Sequence, residues 1–157
     1  MRISARGEYA TKAVLYLSLR YPNVVTIHEV AEGHHIPLKY LEQILLALKN
    51  KGMLESRRGV HGGYTLARAP EKISVGEVLR AVDGSFSQTG CLRGEMDENY
   101  ACPDAGSCGL RELWGNVQET VDKILFETSF AEICRRTGAG AGPLAGGESV
   151  GFTPSKQ

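Results

Sequence analysis

The stretch Thr26-Ile27-His28-Glu29-Val30-Ala31-Glu32-Gly33-His34-His35-Ile36-Pro37-Leu38-Lys39-Tyr40-Leu41-Glu42-Gln43-Ile44-Leu45 decides the fold. It opens on Thr-x-x-Glu, a capping box, in which hydroxyl and carboxylate each accept a backbone N–H at the start of a helix. The pattern predicts a short helix to about Gly33, with Ile27, Val30 and Ala31 on its buried face. Pro37, favoured in a first helical turn, opens the next helix. Leu38, Leu41, Ile44, Leu45 and Leu48 make one continuous apolar face on it. Lys49 and Lys51 suit the negative end of its dipole, and Gly52 stands where a C-terminal cap belongs. Two short helices joined by a tight turn form a helix-turn-helix.

Outward from this pair, residues 53–58 and 64–68 flank the glycine-rich Gly59-Val60-His61-Gly62-Gly63, which reads as a two-stranded hairpin. A helix-turn-helix followed at once by a hairpin is a winged helix. Upstream, Ala10, Ala13, Val14 and Leu17 form the stripe of a helix over 8–20. Leu15 and Leu19 add a second row, predicting burial on more than one side. Tyr21-Pro22-Asn23 ends that helix. After Pro70, Ser74 and Glu77 form a second capping box. It predicts a helix to about Val82, with Val75, Val78, Leu79 and Val82 inward.

Residues 91–108 have neither helical nor strand periodicity and hold three of the four cysteines: Cys91, Cys102 and Cys108. Thiols in a long unpatterned loop point to ordering by something other than a hydrophobic core. Three chemistries fit: an iron–sulfur cluster, which takes thiolates; zinc, although paired Cys-x2–4-Cys spacing is absent; and a thiol switch between Cys102 and Cys108. Cys134, beside Ile133 on a helix, reads as a structural thiol.

From Leu110 a helix resumes. Leu110, Trp114, Val117, Val121, Ile124 and Thr128 alternate in steps of four and three, a heptad seam whose natural partner is a second chain. Ser129 and Glu132 cap one last short helix, to about Arg136. Residues 138–157 carry six Gly and two Pro, and are expected to be a disordered tail.

Net charge is zero over 157 residues, yet unevenly spread. Residues 1–68 carry 10 Lys+Arg against 5 Asp+Glu, and residues 69–157 carry 8 against 13. The basic half is the winged half, as expected of a module that meets a polyanion. Lys39, Tyr40, Glu42 and Gln43 lie off the leucine face, where a recognition helix meets base edges. Gln43 suits adenine, Lys39 guanine or phosphate, and Glu42 cytosine. Arg57 and Arg58 on the wing suit a narrow minor groove. Arg2, Arg6 and Lys12 are candidate phosphate contacts. No apolar run of eighteen predicts a membrane span, and no leader is visible, so a cytoplasmic chain is expected. No catalytic triad or nucleotide-binding loop is present, so no enzyme is expected. An electron carrier would need no recognition helix.

Several strings in this order resemble one family. They are Met1-Arg2-Ile3-Ser4 leading to Gly7-x-Tyr9-Ala10, Tyr40-Leu41-Glu42-Gln43-Ile44-Leu45, Arg57-Arg58-Gly59-x-x-Gly62-Gly63-Tyr64-x-Leu66, and Cys108-x5-Trp114. Over about residues 1–136 the chain resembles the iron–sulfur cluster regulators, bacterial winged-helix repressors that include nitric-oxide-sensing, iron-responsive and cysteine-metabolism members. The resemblance implies a homodimer on a palindromic double-stranded DNA operator. It also implies an iron–sulfur cluster held by Cys91, Cys102, Cys108 and one further ligand, with DNA affinity answering to redox state, nitric oxide or iron and cluster supply. Two features depart from the pattern: ten residues separate Cys91 from Cys102, and Arg111 stands where the cluster-assembly regulator has a histidine ligand. An arginine has no lone pair to give. Nitric-oxide-sensing relatives take an aspartate from the partner chain near the start of the first helix, and a redox-sensing relative takes a glutamate. Glu8 stands there in this chain, with His34 and His35 as alternatives. Pro37 replaces a serine common in relatives, which removes one N-cap contact to phosphate. A metal-free or zinc/thiol-switched regulator of the same fold, acting through a partner protein, is the alternative.

The expected fold is therefore mainly α: a winged helix-turn-helix domain with a two-stranded wing (1–83), a cysteine-rich cluster-binding loop (84–109), a long C-terminal dimerisation helix with a short final helix (110–137), and a tail (138–157).

Overall fold

The computed structural model describes residues 3–59, 62–84 and 108–138. Arg2, Cys91, Cys102, the wing tip at 60–61, most of the cysteine loop and the tail from 139 lie outside the described residues.

The leading helix, α1 (Ala5–Ser18), starts three residues earlier than its apolar stripe suggests. Ser4 caps it, its Oγ accepting from Gly7 N at 2.9 Å. Ala10, Ala13, Val14 and Leu17 are buried as expected, but Leu19 is 38% exposed, so the second row does not close. Helix α2 (Ile27–His34) begins with the capping box of Thr26 and Glu29 and ends at His35, which is left-handed at φ 52°. Helix α3 (Leu38–Asn50) buries Leu41, Ile44, Leu45 and Leu48. Pro37 precedes it and offers no side-chain cap. Among the described residues these three helices pack on one another around a single apolar core.

Strands β1 (Leu54–Arg57) and β2 (Gly63–Leu66) pair antiparallel, with Leu54 opposite Leu66 and Arg57 opposite Gly63. The hairpin is tied to the start of α2: Val25 N donates to Tyr64 O at 2.9 Å and Tyr64 N returns to Val25 O at 2.8 Å. Gly63 is needed for this closeness, because a Cβ there would collide with the Val25 backbone. The wing glycine therefore serves approach within the fold.

A 3-10 turn (Pro70–Lys72) leads to α4 (Val75–Asp83), capped by Ser74 and Glu77 and burying Val78, Leu79 and Val82. Helix α5 (Gly109–Glu127) packs its inner face on α4, where Arg80 lies 4.2 Å from the Phe126 ring centroid. The last helix, α6 (Phe130–Arg136), returns to the winged module against α1 and the 3-10 turn. Phe130 is 1% exposed and is the largest fully buried side chain among the described residues. Its N–H donates to Ile73 O at 2.9 Å, while Val75 N donates to Thr128 O at 3.0 Å. The chain after the cysteine loop thus completes the core of the chain before it. No helix among the described residues is long and apolar enough to cross a membrane.

Candidate nucleic-acid interface

The base-reading candidates come together on α3. Its leucine face points into the core, which leaves Lys39, Glu42, Gln43, Leu46, Lys49 and Asn50 exposed on the other side. Tyr40 sits on the flank, 38% exposed, with its ring edge-on to Tyr9 of α1 (centroids 5.7 Å, planes 82° apart). It is shared between the DNA-facing surface and the α1–α3 contact. Lys49 Nζ donates to Ser56 Oγ at 2.7 Å, which fixes the far end of α3 to the wing strand. One rigid unit therefore carries helix and wing.

Arg57 and Arg58 are exposed at the end of β1, and neither guanidinium has an ion-pair or hydrogen-bond partner among the described residues. Arg68, further along, is instead engaged by Glu77 at 3.3 Å. Desolvation pushes the Glu77 carboxyl up, but hydrogen bonds from Ser74 and the charge of Arg68 outweigh it and leave the group below its ordinary value. Arg6 is half-buried in the first turn of α1.

The metal-ligating candidates are spread over three places. Cys108 is the N-cap residue of α5, half-exposed, and its side chain takes no part in capping. Its carbonyl accepts from Arg111 N at 3.0 Å and Glu112 N at 3.3 Å, so the backbone beneath the thiol is fixed. Glu8 lies exposed in the first turn of α1, paired with Lys12 at 2.6 Å across one helical turn. His34 stacks edge-on against Tyr16 at 5.5 Å, with its Nε2 buried and without a hydrogen-bond partner among the described residues. Burial, then the charges of Lys12, Arg20 and His35, hold its pKa below the ordinary value. His35 is exposed beside it. Tyr16 is eight residues beyond Glu8, about 12 Å along the helix. Glu8 and the two histidines are thus competing candidates rather than members of one site. No group of three or more metal-ligating side chains assembles among the described residues. Cys134 is half-buried; desolvation, then Glu71, push its thiol up.

One connection had no signal in the sequence periodicity. The Ser4 hydroxyl donates to the Asp83 carboxylate, with both oxygens 2.7 Å away. A Cβ on Gly7 would fall 2.5 Å from Asp83 Oδ2. The end of α4, where the cysteine loop departs, is therefore clasped to the first turn of α1, which carries Glu8.

Helix α5 has no buried residue along its 19 positions, although it carries a row of large apolar side chains. Leu110 is 64% and Ile124 60% exposed, and Leu113, Trp114 and Val117 are exposed with them. These residues span about 100° of arc, apart from the inner face that holds Phe126.

Comparison with known proteins agrees with this architecture. The HTH-type transcriptional regulator IscR of Erwinia tasmaniensis is 34% identical over 134 residues, covering 85% of this chain and 78% of the relative. Protein rrf2 of Nitratidesulfovibrio vulgaris is 30% identical over 136 residues, covering 86% and 88%. CymR, the global cysteine regulator of B. subtilis, superposes with a TM-score of 0.71 at 26% identity, covering 87% of this chain and 98% of that one. T. potens IscR has the same fold, with a TM-score of 0.69 at 24% identity and coverage of 87% and 88%. The Erwinia relative is named as a regulator of transcription, not as an enzyme. The family model of Rrf2, described as iron-dependent transcriptional regulator, matches residues 3–136, and the chain belongs to that family of DNA-binding transcriptional regulators.

Proposed function

We propose that the protein is a cytoplasmic, homodimeric regulator that binds a palindromic operator with affinity set by an iron–sulfur cluster. The observation that carries the reading is the position of the cysteine segment: it leaves α4 at the clasp on α1 and ends at Cys108, the cap of α5, whose outer apolar row is exposed. The donor set suits the group, since three thiolates and a carboxylate are ligands that iron accepts. Cys91, Cys102 and Cys108 would hold it, with Glu8 as the fourth ligand once released from Lys12. When bound, a cluster of the two-iron or four-iron kind supplies a centre that responds to redox state, nitric oxide or iron supply.

The chain's own residues do the rest. The apolar row of α5 pairs two subunits, and the helix-and-wing units then face successive half-sites one helical turn apart. Lys39, Glu42 and Gln43 read base edges. Arg57, Arg58 and Arg2 engage the backbone or minor groove, and Tyr40 supports the helix that reads. A change of state at Cys108, the cap of α5, reaches the two readers either through α5 or through the clasp of Ser4 on Asp83.

Anaerobically purified full-length protein should be coloured and contain iron. Operator binding should differ between this form and Cys102→Ala. A colourless, iron-free sample, or equal affinity of the two forms, would overturn the cluster reading. The second reading is a metal-free or zinc/thiol-switched regulator of the same fold acting through a partner protein; the likeness to a global cysteine regulator is what keeps it in view. A colourless sample that still binds the operator would select it.

A further inference from the structure

Among the exposed residues of α3, Leu46 differs in kind. It is 55% exposed. It stands three residues after Gln43, seven after Lys39 and four before Asn50, so these four side chains form one line along the helix. The line lies opposite Leu41, Ile44, Leu45 and Leu48, at the centre of the surface turned away from the core. An apolar side chain in the middle of a polar reading face stays in water in the free protein and gains by meeting an apolar group in the complex. The major groove offers one such group, the C5-methyl of thymine.

We infer that Leu46 is a specificity residue that contacts a thymine methyl group in each half-site. The inference rests on α3 being the reading helix and adds to it a methyl group that no polar side chain of the face would recognise. The helix rise puts Leu46 about 4.5 Å beyond Gln43. That is close to one base-pair step, about 3.4 Å along the duplex. Gln43 suits adenine through its N6 and N7. Gln43 and Leu46 together therefore select neighbouring A·T pairs, one by hydrogen bonds and the other by its methyl. Both neighbours on the line, Lys39 and Asn50, remain free for phosphate or polar base contacts.

The test uses the full-length, anaerobically purified chain. A binding site is selected from a random duplex library, and each of its thymines is replaced singly by deoxyuridine, which removes the methyl and leaves base pairing intact. Affinities are read by fluorescence anisotropy at one fixed salt concentration. One thymine per half-site should lose about fourfold in affinity, the effect of one methyl group returned to water. Leu46→Ala, an exposed substitution, should bind the thymine and uracil forms equally at that position while keeping its preference at the Gln43 base. A selected site indifferent to every uracil replacement, or a methyl effect that persists in Leu46→Ala, overturns the assignment alone. A chain that enriches no sequence overturns it together with the reading it rests on.

Discussion

Replacing Arg57 and Arg58 together by glutamine should flatten the salt dependence of operator binding. Both guanidiniums are exposed on the wing, and no carboxylate among the described residues neutralises either. Each is therefore available to a phosphate charge, whether it lies along the backbone or enters the minor groove. A neutralised phosphate contributes about 0.9 to the slope of log affinity against log salt. Two arginines account for about 2 on one wing and about 4 in a complex with two wings. Over a fourfold rise in salt, a slope difference of that size amounts to about a hundredfold in affinity. Anisotropy titrations of a selected operator at four or more KCl concentrations would give the slope directly. The paired substitution should leave the unfolding free energy from urea melts within about 0.5 kcal/mol of the parent, since both side chains are exposed and have no partner among the described residues. Sequence preference should survive, because backbone contacts position and base contacts specify. A loss of about 2 would mean that one wing engages per complex. An unchanged slope in a normally folded variant would refute the placement of the wing on DNA.

Phe130→Ala should lower unfolding free energy by about 3–5 kcal/mol in urea melts, because a fully buried ring on α6 closes the core of the winged module; a loss under about 1 kcal/mol would mean that α6 is not docked in solution. Glutamate at both Leu110 and Ile124, each exposed, should turn a dimer into a folded monomer by light scattering, and a dimer of unchanged mass would place the interface elsewhere. His34, held below 6.5 by burial and by nearby cations, binds its proton more readily in the unfolded chain. Its share of stability is thus complete above that value and lost as pH falls toward the folded pKa. His34→Phe, which keeps a ring beside Tyr16, should flatten the stability curve just below pH 6.5, above the window where Glu29 and Glu77 act. An identical curve for parent and variant would remove His34 as the cause.

The elements that the sequence announced most clearly were those with local hydrogen-bonding rules. Thr26 with Glu29 and Ser74 with Glu77 state their helix starts in four residues, and both boxes are formed. The leucine period of α3 separated core from surface, because a helix that packs on one side must sort its residues every three or four positions. What stayed hidden is tertiary. The start of α1 depends on a serine that also reaches Asp83, 79 residues away, and no periodicity reports such a contact. Phe130 sits in a short segment with too few residues to show a face, yet it fills the core. Leu46 was masked by the apolar run Ile44-Leu45-Leu46, in which only the middle residue and its predecessor face inward. The candidate ligands were readable as residue types, while their separation along α1 became apparent only with Tyr16 and His34 stacked together.

The first two turns of α1 bear on how a signal at the cysteine segment could reach the DNA. Ser4 holds Asp83, the last residue of α4 before the loop departs. Glu8 follows one turn later, and Tyr9 presses on Tyr40 in the first turn of α3. Loop, candidate ligand and reading helix thus meet on about six residues of one rigid element. The edge-on contact of Tyr9 with Tyr40 is a direct link between α1 and the first turn of α3. Were Glu8 drawn from Lys12 to a ligand position, the pull would reach Tyr40 through the Tyr9 side chain, within the subunit that carries Glu8. In the proposed dimer, rotation of the subunits about α5 would act on half-site spacing instead. The two routes separate in Tyr9→Ala: a within-subunit route loses signal dependence in that variant while the dimer persists, and a rotation route keeps it. The direct contact and the short covalent path favour the first.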